Sequence, residues 1–123
     1  MTEHKKKILL VDDEQDFLFA IKLTLEANHF DVTTASDGQE ALDKAYKEKP
    51  HLIILDLMLP KLDGFKVCRM LKFNENFKKV PIILLTARVH EEDEEVGYGV
   101  GADAYLRKSA DPEVLVRKIK QLL

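Results

Sequence analysis

The chain has 123 residues, 46% of them hydrophobic and 33% charged, with a formal net charge of -3. That length suits one domain with a proper core, and the composition excludes a disordered chain or a membrane protein. The mild acidity excludes broad electrostatic attachment to nucleic acid, and the single cysteine, Cys68, excludes an internal disulfide and suits a reducing compartment.

Residues 1–6 read as a polar N-terminal tail. The opening "MTEHKKKILLVDD" sets lysines before an apolar run, but the run is too short for a signal core and stops at acids. No window reaches the length of a membrane span, so a cytoplasmic protein without membrane contact is expected. "KILLV" at 7–11 predicts a first strand. Over 14–28, Phe17, Leu18, Ile21 and Leu25 recur at helical intervals, with Phe30 just beyond. "DVTTA" at 31–35 is rich in β-branched residues and predicts a second, less apolar strand. A helix over 37–49 starts with Asp37 as its cap, and Pro50 follows its last turn.

"LIILD" at 52–56 is a third strand, "DGFKVCRMLKF" at 63–73 an amphipathic helix, and "FNENFKK" at 73–79 a polar loop. "VPIILLT" at 80–86 predicts a fourth strand and "DAYLR" at 103–107 a weaker fifth. Between them, "EEDEEVGYGVGA" at 91–102 carries five acids and then three alternate glycines. Each interior glycine costs a helix about 1 kcal/mol against alanine, so a weakly stable fourth helix is expected. The glycine spacing does not fit a dinucleotide loop. A last helix covers 111–123, with Pro112 at its first position after Asp111. Strand and helix alternate five times across residues 7–123, which predicts a single α/β domain around a parallel sheet. Continuous rather than alternating apolar runs are what strands covered on both faces require.

In such sheets ligands bind beyond the carboxyl ends of the strands. The residues closing the strands here are Asp12 and Asp13, Asp56, Thr86 and Lys108. Clustered carboxylates repel and need a cation; hard oxygen ligands suit Mg²⁺. A metal, an ammonium and a hydroxyl together receive phosphate oxygens, and a carboxylate beside them can carry a phosphoryl group. Other readings exist for each residue alone. Asp12 could cap the first helix in a capping box with Gln15. Thr86 could be an ordinary strand residue and Lys108 a solvated charge. Asp56 resists such an account, because it stands seven residues before the next helix start at Asp63.

The motifs together resemble the receiver domain of bacterial two-component response regulators. "ILLVDDE" is similar to the family's first strand and acidic pair, and "LIILDLMLPKLDG" to its phosphoacceptor strand and following loop. "PIILLTA" is similar to its fourth strand with the switch hydroxyl, and "GADAYLRK" to its fifth with the aromatic and lysine. The resemblance implies a flavodoxin-like (βα)5 three-layer sandwich with strand order 2-1-3-4-5. It implies that Asp56 accepts a phosphoryl group from a sensor histidine kinase, a phosphotransfer protein or a small phosphodonor. Asp13 and Asp56 would bind Mg²⁺ (or Mn²⁺) through side chains, Met58 through its backbone carbonyl and Asp12 through water. Thr86 and Lys108 would each take a phosphoryl oxygen. Tyr105 would turn inward when Thr86 moves, signalling through the fourth helix, fifth strand and fifth helix. Kinase contacts would come from the first helix, around Gln15 to Lys22.

Two departures from that family stand out. Ser109 follows Lys108 where the family has proline, commonly after a cis bond. A cis bond to a non-proline costs about 3–4 kcal/mol, so either that strain is kept or the loop runs differently. The glycine-rich fourth helix is expected to move or order on phosphorylation. Met58 and Arg88 would flank the phosphate and tune its lifetime. Glu94 stands where one large class of transcription factors has a basic residue at its dimer face, so the expectation is a monomer or a weak phosphorylation-dependent dimer. The chain shows no DNA-binding segment of its own, which fits a stand-alone receiver acting on a protein target or one domain of a longer protein. It is read as a phosphoacceptor, not a turnover enzyme. The competing readings are a degenerate, phosphate-independent binding module and a haloacid-dehalogenase-like phosphatase, which would need an acid where Met58 stands.

Overall fold

The computed structural model describes residues 5–87, 99 and 101–123. In chain order these form β1 (Lys7–Val11), α1 (Gln15–Ala27), β2 (Asp31–Ala35), α2 (Gly38–Glu48), β3 (Leu52–Asp56) and α3 (Gly64–Lys72), then β4 (Ile82–Thr86), β5 (Ala104–Arg107) and a last described helix, α4 (Pro112–Leu122). All five strands are parallel, in the order β2-β1-β3-β4-β5. This is the flavodoxin-like arrangement that the resemblance implies. The expected helix over 91–102 falls largely outside the described residues, as do Arg88, Glu94 and the first four residues of the tail.

Successive side chains of a strand point to opposite faces, and the apolar runs use both. Leu9, Val11, Ile53, Leu55, Ile82 and Leu84 face α2 and α3, where Ala41, Ala45, Val67, Cys68 and Leu71 meet them. Ile8, Leu10, Leu52, Ile54, Ile83 and Leu85 face the other way, onto Leu18, Ile21 and Leu25 of α1 and Leu115, Val116 and Ile119 of α4. Every residue of β3 and β4 is buried. At about 1.5–3 kcal/mol for each large aliphatic side chain, this double-sided core dominates the stability. The edge strand β2 keeps Thr33 and Thr34 only half-buried, which explains its weaker apolar signal.

The helix starts follow the predicted caps in three of four cases. Asp37 accepts the Glu40 amide at 2.8 Å, Asp63 that of Lys66 at 2.9 Å, and Asp111 that of Glu113 at 2.9 Å. At α1 the cap position belongs to Glu14, whose side chain makes no capping bond. β4 begins at Ile82 instead of residue 80 because Pro81 has no N–H to give a ladder.

The segment 73–79 is more than a polar loop. Phe77 is buried against the α2–α3 side of the core, and its ring meets Tyr46 edge-on at 4.9 Å. Asn74 organises the turn, its carbonyl accepting the amides of Phe77 and Lys78 at 3.0 and 2.9 Å.

At the far end of the sheet from the acids, Lys72 is a clamp. Its ammonium meets the Asp103 carboxylate at 2.8 Å and donates to the Val80 carbonyl at 2.7 Å. Asp103 also accepts the Ile82 amide at 2.8 Å. Nearby Cys68 is fully buried, and that burial pushes its thiol up to about 11, so it packs as a small apolar side chain.

Candidate functional site

The carboxyl ends of β1, β3 and β4 stop level with one another because their registers are matched. Val11 lies opposite Leu55, and Asp56 opposite Leu85. Parallel pairing then carries the next residues to a common edge. The Asp12 amide extends the β1–β2 ladder to the Ala35 carbonyl at 3.1 Å, and the Leu57 amide extends β3–β4 to Leu85 at 3.0 Å. The Lys108 amide donates to the Thr86 carbonyl at 2.7 Å. All five sequence-predicted strand-end residues therefore share one rim of the sheet.

Three of the acids form a compact set. Asp12, Asp13 and Asp56 each offer a carboxylate oxygen within 4.8 Å of the others. Asp12 is wholly buried and Asp56 is 3% exposed, while Asp13 lies open to solvent. Into this set reaches Lys108, whose ammonium stands 2.8 Å from Asp12 Oδ2 and 3.5 Å from Asp56 Oδ2. The helix-cap reading of Asp12 does not hold: its Oδ1 accepts the Glu14 amide at 2.9 Å, across a two-residue turn. Gln15, the other half of the supposed capping box, donates instead to Ser36 Oγ at 3.1 Å.

Burial is the main influence on Asp56. It raises the carboxyl to about 6, with the Asp12 charge adding to the rise and the Met58 amide and Lys108 opposing it. Lys108 moves in the complementary sense. Burial would lower it, but the hydrogen bonds to Asp12 and Glu14 outweigh that and hold the ammonium firmly charged.

The loop after β3 is fixed from three sides. The Met58 amide donates to Asp56 Oδ1 at 3.1 Å, and the Met58 side chain stands 71% exposed above the rim. Lys61 takes a left-handed φ of 69°, and the Leu62 amide closes back on the Pro60 carbonyl at 2.8 Å. Gly64 lets α3 start hard against the Asp56 backbone.

Thr86 and Tyr105 are both buried, at 4% and 8% exposure. Tyr105 packs within the α2–α3 side of the core. No described peptide bond is cis, so the Lys108–Ser109 bond is trans and the loop bears no such strain.

Sequence reasoning missed two members of the site. Glu14 Oε1 is 2.6 Å from the Lys108 ammonium, and the Phe17 ring centroid lies 4.5 Å from the same nitrogen. Glu14 is the third acid of the run, visible in sequence but not separable there from a solvated helix start. Phe17 reads as one more residue of the apolar stripe.

The donor set fits a hard divalent cation. Asp12, Asp13 and Asp56 gather their carboxylates, and among the described residues Lys108 is the cation that meets Asp12, Asp56 and the neighbouring Glu14, leaving a surplus of negative charge on oxygen ligands only. Roomier concavities, of about 510 and 410 Å³, lie elsewhere, one between Tyr46 and Phe77 and the other between Thr24 and Arg117. Neither holds a comparable set of acids, so chemistry rather than volume singles out the sheet edge.

Comparison with known proteins agrees. The family model described as "Response regulator receiver domain" matches residues 8–120. The alkaline phosphatase synthesis transcriptional regulatory protein PhoP of Bacillus subtilis is 47% identical over 118 residues, covering 96% of this chain and 48% of that protein. The response regulator ArlR of Staphylococcus saprophyticus is 40% identical over 117 residues, 95% of this chain and 52% of its own. The chain thus spans about half the length of these curated relatives. Among solved structures, the chemotaxis response regulator CheY4 of Vibrio cholerae superposes with a TM-score of 0.91 at 33% identity, covering 98% of this chain and 100% of that one. The BeF3-activated receiver domain of Klebsiella pneumoniae RstA superposes at 0.86 with 30% identity, covering 94% and 97%.

Proposed function

The chain belongs to the response regulator receiver family, and we propose that Asp56 is the residue through which this phosphorylation-activated switch is set. The observation that carries the assignment is the shared ammonium: Lys108 reaches Asp12 and Asp56 together at the edge of a parallel sheet. One Asp56 oxygen bonds to phosphorus as the bond from phosphorus to the donor breaks, its electron pair leaving with the donor. The donor is the phosphohistidine of a sensor kinase or phosphotransfer protein, or a small acyl phosphate. Bound Mg²⁺, for which Mn²⁺ can substitute, supplies charge neutralisation for the phosphoryl oxygens.

Asp13, Asp56 and the Met58 carbonyl would hold that ion, with Asp12 assisting through water. Thr86 donates its hydroxyl to one phosphoryl oxygen and Lys108 pairs with another. Thr86 and Tyr105 then couple the site to the face of β5 and α4. A protein target or an output domain reads that face, in the cytoplasm, with the receiver itself making no contact with nucleic acid or membrane. Residues 7–123 form this one domain and 1–6 its tail. The phosphoryl group is the message, and the protein is a signalling component instead of a turnover enzyme. No acid stands two residues after Asp56, where the exposed Met58 sits, and this argues against the haloacid-dehalogenase chemistry.

Intact mass after incubation with acetyl phosphate, with and without Mg²⁺, tests the proposal beside Asp56→Ala. The expected result is a metal-dependent gain of one phosphoryl mass that the variant lacks. No gain in a folded protein would leave a phosphate-independent binding module in its place.

A further inference from the structure

The Lys108 ammonium is not shared evenly. Glu14 Oε1 is its nearest oxygen at 2.6 Å, Asp12 Oδ2 follows at 2.8 Å, and Asp56 Oδ2 lags at 3.5 Å. Strong ammonium–carboxylate hydrogen bonds run at roughly 2.7–2.9 Å, so the first two contacts are full ones and the third is loose. Glu14 is free for this work. It occupies the cap position of α1 without making a side-chain capping bond, and its amide is fixed by Asp12 Oδ1 at 2.9 Å. The Phe17 ring, 4.5 Å from the same nitrogen, adds a cation–π hold from α1.

Resting on the reading that Asp56 is the phosphoacceptor, we infer that Glu14 is a positioning residue for Lys108. It draws the ammonium toward α1 and off Asp56, so that an Asp56 oxygen stays open to the metal and to incoming phosphorus. The side chain of Lys108 is only 9% exposed, and its short list of anionic partners makes the competition direct. Removing Glu14 leaves the cation to Asp12 and Asp56 alone, and it closes on Asp56.

A double-mutant cycle in Mg²⁺ affinity tests this, by calorimetry on the wild type, Glu14→Gln, Lys108→Met and the double variant. Lys108→Gln replaces the methionine variant should that one not fold. Glu14→Gln is expected to weaken Mg²⁺ binding about three- to tenfold when Lys108 is present, and less than about twofold when it is absent. Equal weakening in both backgrounds would mean that Glu14 acts by its own charge on the metal, and the positioning role falls while the phosphoacceptor reading stands. A wild type that binds no Mg²⁺ and gains no phosphoryl mass overturns both.

Discussion

Gly64 lies hard against the backbone of Asp56: a Cβ built on it would stand 2.4 Å from the Asp56 carbonyl oxygen and 2.8 Å from the Leu57 Cα. Both obstacles are main chain, so nothing flexible can give way. Gly64→Ala is therefore expected to cost about 1–3 kcal/mol, as overpacking does. It should also slow phosphorylation of Asp56, whose own backbone must move. Urea denaturation and the mass assay read the two effects; an alanine variant as stable and as reactive as the wild type refutes the close approach.

The raised Asp56 carboxyl makes a pH prediction for the metal-free protein. A folded-state value of about 6, above the ordinary 3.8, means that the native state holds this proton where the unfolded chain has lost it. The stabilisation is complete below about pH 4 and is lost as pH rises to about 6, where the charge must be buried. Asp56→Asn should thus add about 1–3 kcal/mol above pH 6 and nothing below pH 4. Thermal melts in a chelator across that range check it, and a pH-independent difference between the two proteins counts against it.

Lys108→Ala removes the one cation that, among the described residues, pairs with the two buried acids Asp12 and Asp56. In the absence of metal the expected loss is about 2–4 kcal/mol, since breaking a buried ion pair strands its partner. Mg²⁺ should return much of it, because at 100 times its Kd a ligand adds about 2.7 kcal/mol. Denaturation with and without the ion measures both steps. A variant that is destabilised but gains nothing from Mg²⁺ would deny that the acids hold the metal.

Asp103 joins two elements that nothing in their sequences connects. Its carboxylate takes both the Lys72 ammonium and the Ile82 amide at 2.8 Å. Asp103→Ala is expected to cost about 2 kcal/mol, by orphaning a buried amide and loosening the clamp. Asp103→Asn keeps an acceptor and should cost about half as much. If the two substitutions melt alike, the amide bond contributes little.

The sheet was legible in the sequence because burial on both faces demands uninterrupted aliphatic runs, and 7–11 and 52–56 show them without ambiguity. The acids were legible because a carboxylate at the end of such a run has no packing purpose. What could not be read was geometry across long separations. Glu14 and Lys108 are 94 positions apart, and only the folded sheet shows that they touch. The capping reading of Asp12 failed for a related reason, since a short acid before a helix fits either a cap or a site. Phe77 hid inside a largely polar heptapeptide, where two phenylalanines four residues apart among lysines, asparagines and a glutamate do not mark which of them is buried.

The rim is assembled from strands of unequal security. Asp12 and Asp56 close β1 and β3, each flanked by a neighbour on both sides, while Lys108 follows β5, a four-residue strand paired on one side only. Amide hydrogen exchange should accordingly rank the partners, with β5 opening first and β1 and β3 last. Transient fraying of that border would carry the ammonium away while the acids stay assembled. Mass spectrometry of exchange at 104–108 against 52–56 would time how often the protein loosens the Lys108 ammonium from the acids it holds.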